Sequence, residues 1–229
     1  MSIATNRAQR TRIKICGLTR EEDVDAAVAA GADAVGVVLY KASPRYVSPL
    51  RAAELSKRLP PFVTPVLLFV NENAANIIAA KAINTLAIAQ FHGDETPEQC
   101  NQLGLPYIRA ARIPLGDGAA SFDLVKYTHD YSQAKAILLD AHVEGYGGGG
   151  KTFNWSLLPT NVNAHLVLSG GLNAANVTDG ILQVRPRCKT LAVDVSSGVE
   201  ATDAQGNAIK GVKDALKIQQ FIQAVRAAD

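Results

Sequence analysis

Two side chains stand out because their chemistry does not suit the apolar runs that carry them. Cys16 closes the run in KICGLTR and is followed by Gly17 and by Thr19, a helix-capping candidate. A lone cysteine is ordinarily a small apolar filler, and Cys100 and Cys188 are read that way. At a strand end facing a rim, however, nearby cations or a helix N-terminus can partly deprotonate a thiol whose ordinary pKa is about 8.5, which makes it a base. Asp140 ends AKAILLD, a run otherwise made of aliphatic side chains and one lysine. It can cap a helix or order a loop through an ion pair. It can equally be a general acid, because a carboxylic acid in apolar surroundings keeps its proton near neutral pH and has it to give.

Around this pair lie residues suited to holding anions. Arg45, in SPRYV, carries a guanidinium able to grip a carboxylate through two parallel hydrogen bonds, or it is a solvated surface arginine. His92, in QFHGDE, is a ligand, a base or a hydrogen-bonded rim residue. The turns Ser169-Gly170-Gly171 and Ser196-Ser197-Gly198 follow apolar runs, and their small residues let backbone amides approach an anion such as phosphate. Gly145, Gly150, Lys151 and Thr152 satisfy the letter of a nucleotide-binding P-loop, and Gly145, Gly147 and Gly150 that of a dinucleotide fingerprint. Both motifs need a solid helix immediately afterwards, whereas FNWSLLP offers at most two turns before Pro159. The glycines read better as a loop that folds over substrate, with Lys151 and Thr152 ordering on closure. The four histidines, His92, His129, His142 and His165, show no spacing that puts two on one helical face, so no metal set is expected.

What must position these groups is a repeated strand–helix unit. Apolar runs of strand length occur at 12–16, 34–39, 63–70, 86–91, 107–113, 136–140, 164–169 and 190–195. Between them, 21–30, 50–58, 72–82, 96–103, 119–131 and 174–181 have helical periodicity or caps, and 214–227 closes the chain. The stretch after the sixth strand is a poor helix. Eight such units in 229 residues suit a closed (β/α)8 barrel of one domain spanning 12–229; an open doubly wound sheet is the competitor. The polar and glycine-rich residues all follow the strands, the rim on which barrel enzymes build their sites. Gly31, Gly104 and Pro106, which precede strands, are turn formers.

Composition narrows the partners. With 48% hydrophobic residues the chain buries one large core, and 23 Lys plus Arg against 21 Asp plus Glu leave a formal charge of +2 with no basic cluster. A small molecule is therefore expected, and neither nucleic acid nor a membrane. The three cysteines lie far apart, which fits a reducing cytosol. Residues 1–11 are polar and read as a disordered lead-in.

The segments KICGLTR, SPRYVS, LFVN, QFHGDE, the Asp-Ala followed by GGGGKTFNW, LSGGLN and VDVSSGVE resemble, in this order, the phosphoribosylanthranilate isomerase family from about residue 12 to the C-terminus. The resemblance implies a (β/α)8 barrel that converts N-(5-phosphoribosyl)anthranilate, in tryptophan biosynthesis, to 1-(2-carboxyphenylamino)-1-deoxyribulose 5-phosphate. It implies Cys16 as general base, Asp140 as general acid and Arg45 on the anthranilate carboxylate. Amides around Gly170, Gly171, Ser197 and Gly198 are implied on the phosphate. Asp194 matches an aspartate near the site that supports the phosphate loop or a neighbouring side chain, His92 falls in the same rim, and both are expected among the substrate-binding residues. No metal or redox cofactor is implied, and the assembly is a monomer or a homodimer. Arginine stands in YIRAARI where the family suggests lysine, so the roles of Arg109 and Arg112 stay open.

Overall fold

The computed structural model describes residues 10–116, 122–141 and 152–229. Eight strands are present, each within two residues of its expected bounds. They are β1 (Arg12–Cys16), β2 (Ala34–Val38), β3 (Thr64–Phe69), β4 (Ile88–Phe91), β5 (Tyr107–Ile113), β6 (Ala136–Ala141), β7 (His165–Leu168) and β8 (Thr190–Val195). Each pairs in parallel with the next, and β8 pairs with β1. The ring is closed, so the open sheet is excluded.

Side chains alternate between lumen and exterior. Outward residues such as Ile13, Ile15, Leu67, Leu139 and Val193 join the main core with Val24, Leu55, Ile77, Ile181 and Phe221 from the surrounding helices. Those helices are α1 (Glu21–Ala30), α2 (Pro49–Ser56), α3 (Ala74–Ile83), α4 (Pro97–Asn101), α5 (Leu124–Asp130), α6 (Val177–Val184) and α7 (Ala215–Ala227). Local chemistry sets their starts: Ser48 caps α2 with Pro49 in its first turn, and Thr96 and Gln99 form a capping box on α4.

Besides α5, expected over 119–131 and helical among the described residues only over Leu124–Asp130, three features differ from the sequence expectation. First, α6 begins three residues late, because the Asn173 side chain accepts from the Ala175 N–H and that of Asn176 from the Asn173 N–H, holding this stretch in turns. It then runs on to bury Ile181 and Val184. Second, Glu200–Thr202 (β9) and Ala208–Lys213 (β10) form an antiparallel hairpin outside the barrel between β8 and α7, where the polar sequence suggested only loop. Third, Thr11, assigned to the lead-in, is buried and bonded through its N–H and hydroxyl to the Asp229 carboxylate, tying the start of the barrel to its last helix. The glycine-rich loop, including Gly145, Gly147, Gly150 and Lys151, lies outside the described residues. After Thr152, residues 153–164 contain a single 3-10 turn, Trp155–Leu157, and not the helix a P-loop requires.

Candidate active site

Cys16 ends β1 and Asp140 sits at the penultimate position of β6, so both lie at the C-terminal rim; around the ring, β6 is reached from β1 through β8 and β7. Both are buried, at 4% and 6% exposure. Cys16 packs with Val38, Leu68 and Val70. Burial pushes its thiol up, the nearby Lys14 ammonium works in the other direction, and Asp194 adds to the rise. Cys100 and Cys188 are raised to about 11, mainly by burial, as expected of filler thiols.

Asp194 is committed to neighbours: its Oδ1 accepts from Lys14 Nζ at 2.7 Å and its Oδ2 from Ser169 Oγ at 3.1 Å. Of the two supporting roles open to it in the sequence, this geometry corresponds to ordering neighbouring side chains. Lys14 was not among the sequence candidates. Its one signal was a charge in the middle of a short strand, between Ile13 and Ile15, on the face that Arg12 and Cys16 share.

Asp140 has a partner in His92. Gln90 Nε2 lies 3.0 Å from His92 Nδ1 and donates to it, which leaves the ring proton on Nε2, 3.0 Å from Asp140 Oδ2. Both ring nitrogens are thus engaged within the chain. Gln90 and His92 are two residues apart, which puts both side chains on one face. The loop that carries His92 is clamped from outside the lumen: Arg109 donates to the carbonyls of Phe91 and Gly93 at 2.9 and 3.0 Å, and Glu95 accepts from the Asn71 and Gly93 N–H groups. This makes Arg109 a loop anchor. Arg112 ion-pairs with Asp94 at 2.8 Å on the same loop.

The two glycine turns converge. A Cβ on Gly198 would lie 2.0 Å from the Leu172 carbonyl oxygen, and one on Gly170 would meet Asp140 Oδ1 at 2.9 Å. Only glycine permits this approach. Gly170 and Gly171 have φ of 79° and 63°, and Ser197 opens a 3-10 turn, Ser197–Val199. The N–H groups of Gly170, Gly171, Ser197 and Gly198 donate no hydrogen bond among the described residues. Four uncommitted amides in abutting half-buried turns form a cradle suited to an anion.

Arg45 is neither solvated nor free. Its Nε and Nη2 donate to the two carboxylate oxygens of Glu200 at 2.6 and 2.8 Å, so the fork expected to grip a ligand carboxylate already holds one from the chain. Glu200 also receives the Gly211 N–H at 2.9 Å and Lys213 Nζ at 3.3 Å, and Lys213 Nζ donates to the Ser196 carbonyl at 2.9 Å. The β9–β10 hairpin therefore links the Arg45 loop to the turn after β8. Sequence reading missed Glu200 and Lys213 because neither lies on a barrel strand. Among the described residues there is no cluster of His, Cys, Asp or Glu that could hold a metal ion.

The pattern defining the N-(5'phosphoribosyl)anthranilate (PRA) isomerase family matches residues 13–224. The N-(5'-phosphoribosyl)anthranilate isomerase of Methylibium petroleiphilum is 60% identical over 220 residues, covering 96% of both chains. Phosphoribosyl anthranilate isomerase from Thermotoga maritima superposes with a TM-score of 0.80 at 40% identity, covering 95% of this chain and 99% of that one. A solved phosphoribosyl anthranilate isomerase in complex with reduced 1-(o-carboxyphenylamino)-1-deoxyribulose 5-phosphate superposes at 0.74 with 36% identity and the same coverage. The Cys16 and Asp140 strand ends, the paired glycine turns and the closed barrel that carries them all fall within the matched span, and the chain belongs to the N-(5'-phosphoribosyl)anthranilate isomerase family.

Proposed function

We propose that the chain converts N-(5'-phosphoribosyl)anthranilate to 1-(2-carboxyphenylamino)-1-deoxyribulose 5-phosphate by proton transfer between Cys16, Asp140 and substrate, as a cytoplasmic step of tryptophan biosynthesis. Asp140 gives its proton to the furanose ring oxygen, the C1′–O bond breaks and a protonated imine forms. The carboxylate left behind is stabilised by the His92 Nε2–H, whose orientation Gln90 sets. Cys16, as thiolate, takes the C2′ proton; the electron pair of that C–H bond forms the enolamine, which a further proton transfer turns into the ketone. His92 thus acts through Asp140, and Asp194 through Lys14.

The phosphate sits on the amides of Gly170, Gly171, Ser197 and Gly198, where barrel enzymes commonly bind it, next to the short helix after the eighth strand. Arg45 meets the anthranilate carboxylate with the guanidinium edge that Glu200 leaves open, already oriented by the pair. A relative's complex with a reduced phosphorylated product supports this class of ligand. No helix among the described residues is long and apolar enough to cross a membrane.

The observation that carries the reading is that a thiol and a histidine-paired carboxyl occupy the same rim of a closed barrel as an amide cradle. Loss of the fluorescent anthranilate adduct measures the reaction. Cys16→Ala and Asp140→Asn each lower kcat by about 10²-fold or more. Near-normal turnover in both folded variants defeats the assignment.

A further inference from the structure

Lys14 occupies a place where a charge is costly. The cavity in the lower lumen is lined by Val66, Ile108 and Val167, with Arg12, Asp33 and Thr64 at its strand-start end, and Lys14 stands among them at 4% exposure. A buried ammonium needs compensation. Strand register supplies part of it: Lys14 lies opposite Asp194 on β8, and their side chains form the 2.7 Å pair. On the other side of β1, Cys16 lies opposite Gly36 of β2. A Cβ on Gly36 would be 2.6 Å from Cys16 Sγ, 2.9 Å from Lys14 Cε and 3.0 Å from Lys14 Nζ. The sulfur and the ammonium thus share the space that this glycine leaves empty.

We propose that Lys14 is a positioning residue for the reaction, holding a fixed positive charge against the Cys16 sulfur so that the thiolate exists in a buried site, with Asp194 as its tether and Gly36 as the slot. The proposal rests on the reading of Cys16 as the base. In the resting pair Lys14 is neutralised by Asp194, so no unpaired charge is stranded when the sulfur is protonated. When the sulfur is ionised, the same ammonium faces both anions. A thiolate in this apolar lumen without a cation beside it has lost its water and gained nothing in exchange.

The charged groups acting on the sulfur come from three strands: Lys14 on β1, Asp194 on β8 and Lys213 on β10. Lys14 and Lys213 favour the thiolate, while Asp194 and burial oppose it. Burial also works against the Lys14 ammonium, but Asp194 and Cys16 outweigh it and raise its pKa, so Lys14 stays charged throughout the range in which a thiol titrates. The two members of the pair consequently act on the thiol with opposite signs.

The test is the pH titration of thiolate ultraviolet absorbance, taken as the difference between each protein and the same protein carrying Cys16→Ser, so that Cys100 and Cys188 cancel. Lys14→Met moves the Cys16 midpoint up by about one pH unit or more, the effect of removing an adjacent opposite charge. Asp194→Asn moves it down, and Lys14→Arg, which keeps the charge, stays nearer the parent than Lys14→Met does. The acid limb of kcat/KM follows the midpoint in each variant. An unchanged or lowered midpoint in folded Lys14→Met overturns the proposal, as does a raised midpoint in folded Asp194→Asn. Failure of the base assignment shows separately, as activity retained by Cys16→Ala, because the absorbance titration needs no turnover.

Discussion

At the scale of single residues, the pairing of Arg45 with Glu200 changes what a sequence-level arginine means. A guanidinium read from SPRYV alone is free to bind a ligand; in the fold it is half of a buried bidentate pair. Breaking such a pair by removing one partner costs about 3–5 kcal/mol, because the other charge is left desolvated. Burial alone raises the pKa of Glu200, but Arg45, Lys213 and the Gly211 N–H outweigh it and hold the carboxyl below its ordinary value. A folded-state pKa below the unfolded one, about 4.3, means that stability is present above that pH and lost as pH falls toward the folded value. Thermal melts of the parent therefore fall off below about pH 4. Glu200→Gln melts lower at neutral pH and shows a flatter slope in that acid window; a parallel slope in the two proteins contradicts the pair's role.

At the scale of elements, β9–β10 and the two glycine turns behave as one unit. Lys213 reaches from β10 to both Ser196 and Glu200, and Gly198 lies against the carbonyl of Leu172. Gly198→Ala cannot be accommodated without moving backbone, because its Cβ would lie 2.0 Å from that oxygen. The expected outcome is a rise in KM of about tenfold or more, the worth of one charge-assisted hydrogen bond to phosphate, with kcat changed less. Steady-state kinetics with circular dichroism as a folding check reads this; an unchanged KM removes the turn from the phosphate site. The eight strands were legible because apolar runs of strand length recur between helical stretches. The hairpin was not, because its residues are mostly exposed and have no apolar period, and Glu200 and Lys213 become buried only against distant partners.

At the scale of the whole molecule, the opposite end of the barrel presents a surface of its own. Phe62 is fully exposed at φ 74°, a backbone region that a bulky residue rarely adopts, and Leu86 beside it is 85% exposed. Phe62 lies at the edge of the lower-lumen cavity of about 670 Å³ that also holds Lys14, where Arg12, Asp33 and Thr64 stand at the strand starts. An exposed aromatic side chain beside an opening is a surface that a second copy of the chain could cover. Of the two assemblies the sequence left open, a homodimer would be the one to bury this face. If that is the assembly, light scattering of the purified chain gives twice the chain mass and Phe62→Ser halves it at micromolar concentration. A parent that stays monomeric at high concentration rules the interface out.

Strand-length periodicity and residue type at strand ends were enough to mark eight βα units and the rim turns that carry Cys16, Asp140, His92 and the paired glycines, whereas closure of the ring was decided by the fold and Asp194 was singled out only by the family resemblance. Periodicity and residue type are local, written within a few residues of each other. What only the tertiary structure decided is which charges face which: Lys14 with Asp194 beside Cys16, Gln90 behind His92, and Arg45 already claimed by Glu200. These pairs join residues from different strands and loops, the Arg45–Glu200 pair across 155 positions of chain, and their strength comes from shared burial. Burial is a property of the closed barrel and is carried by no short segment of the chain.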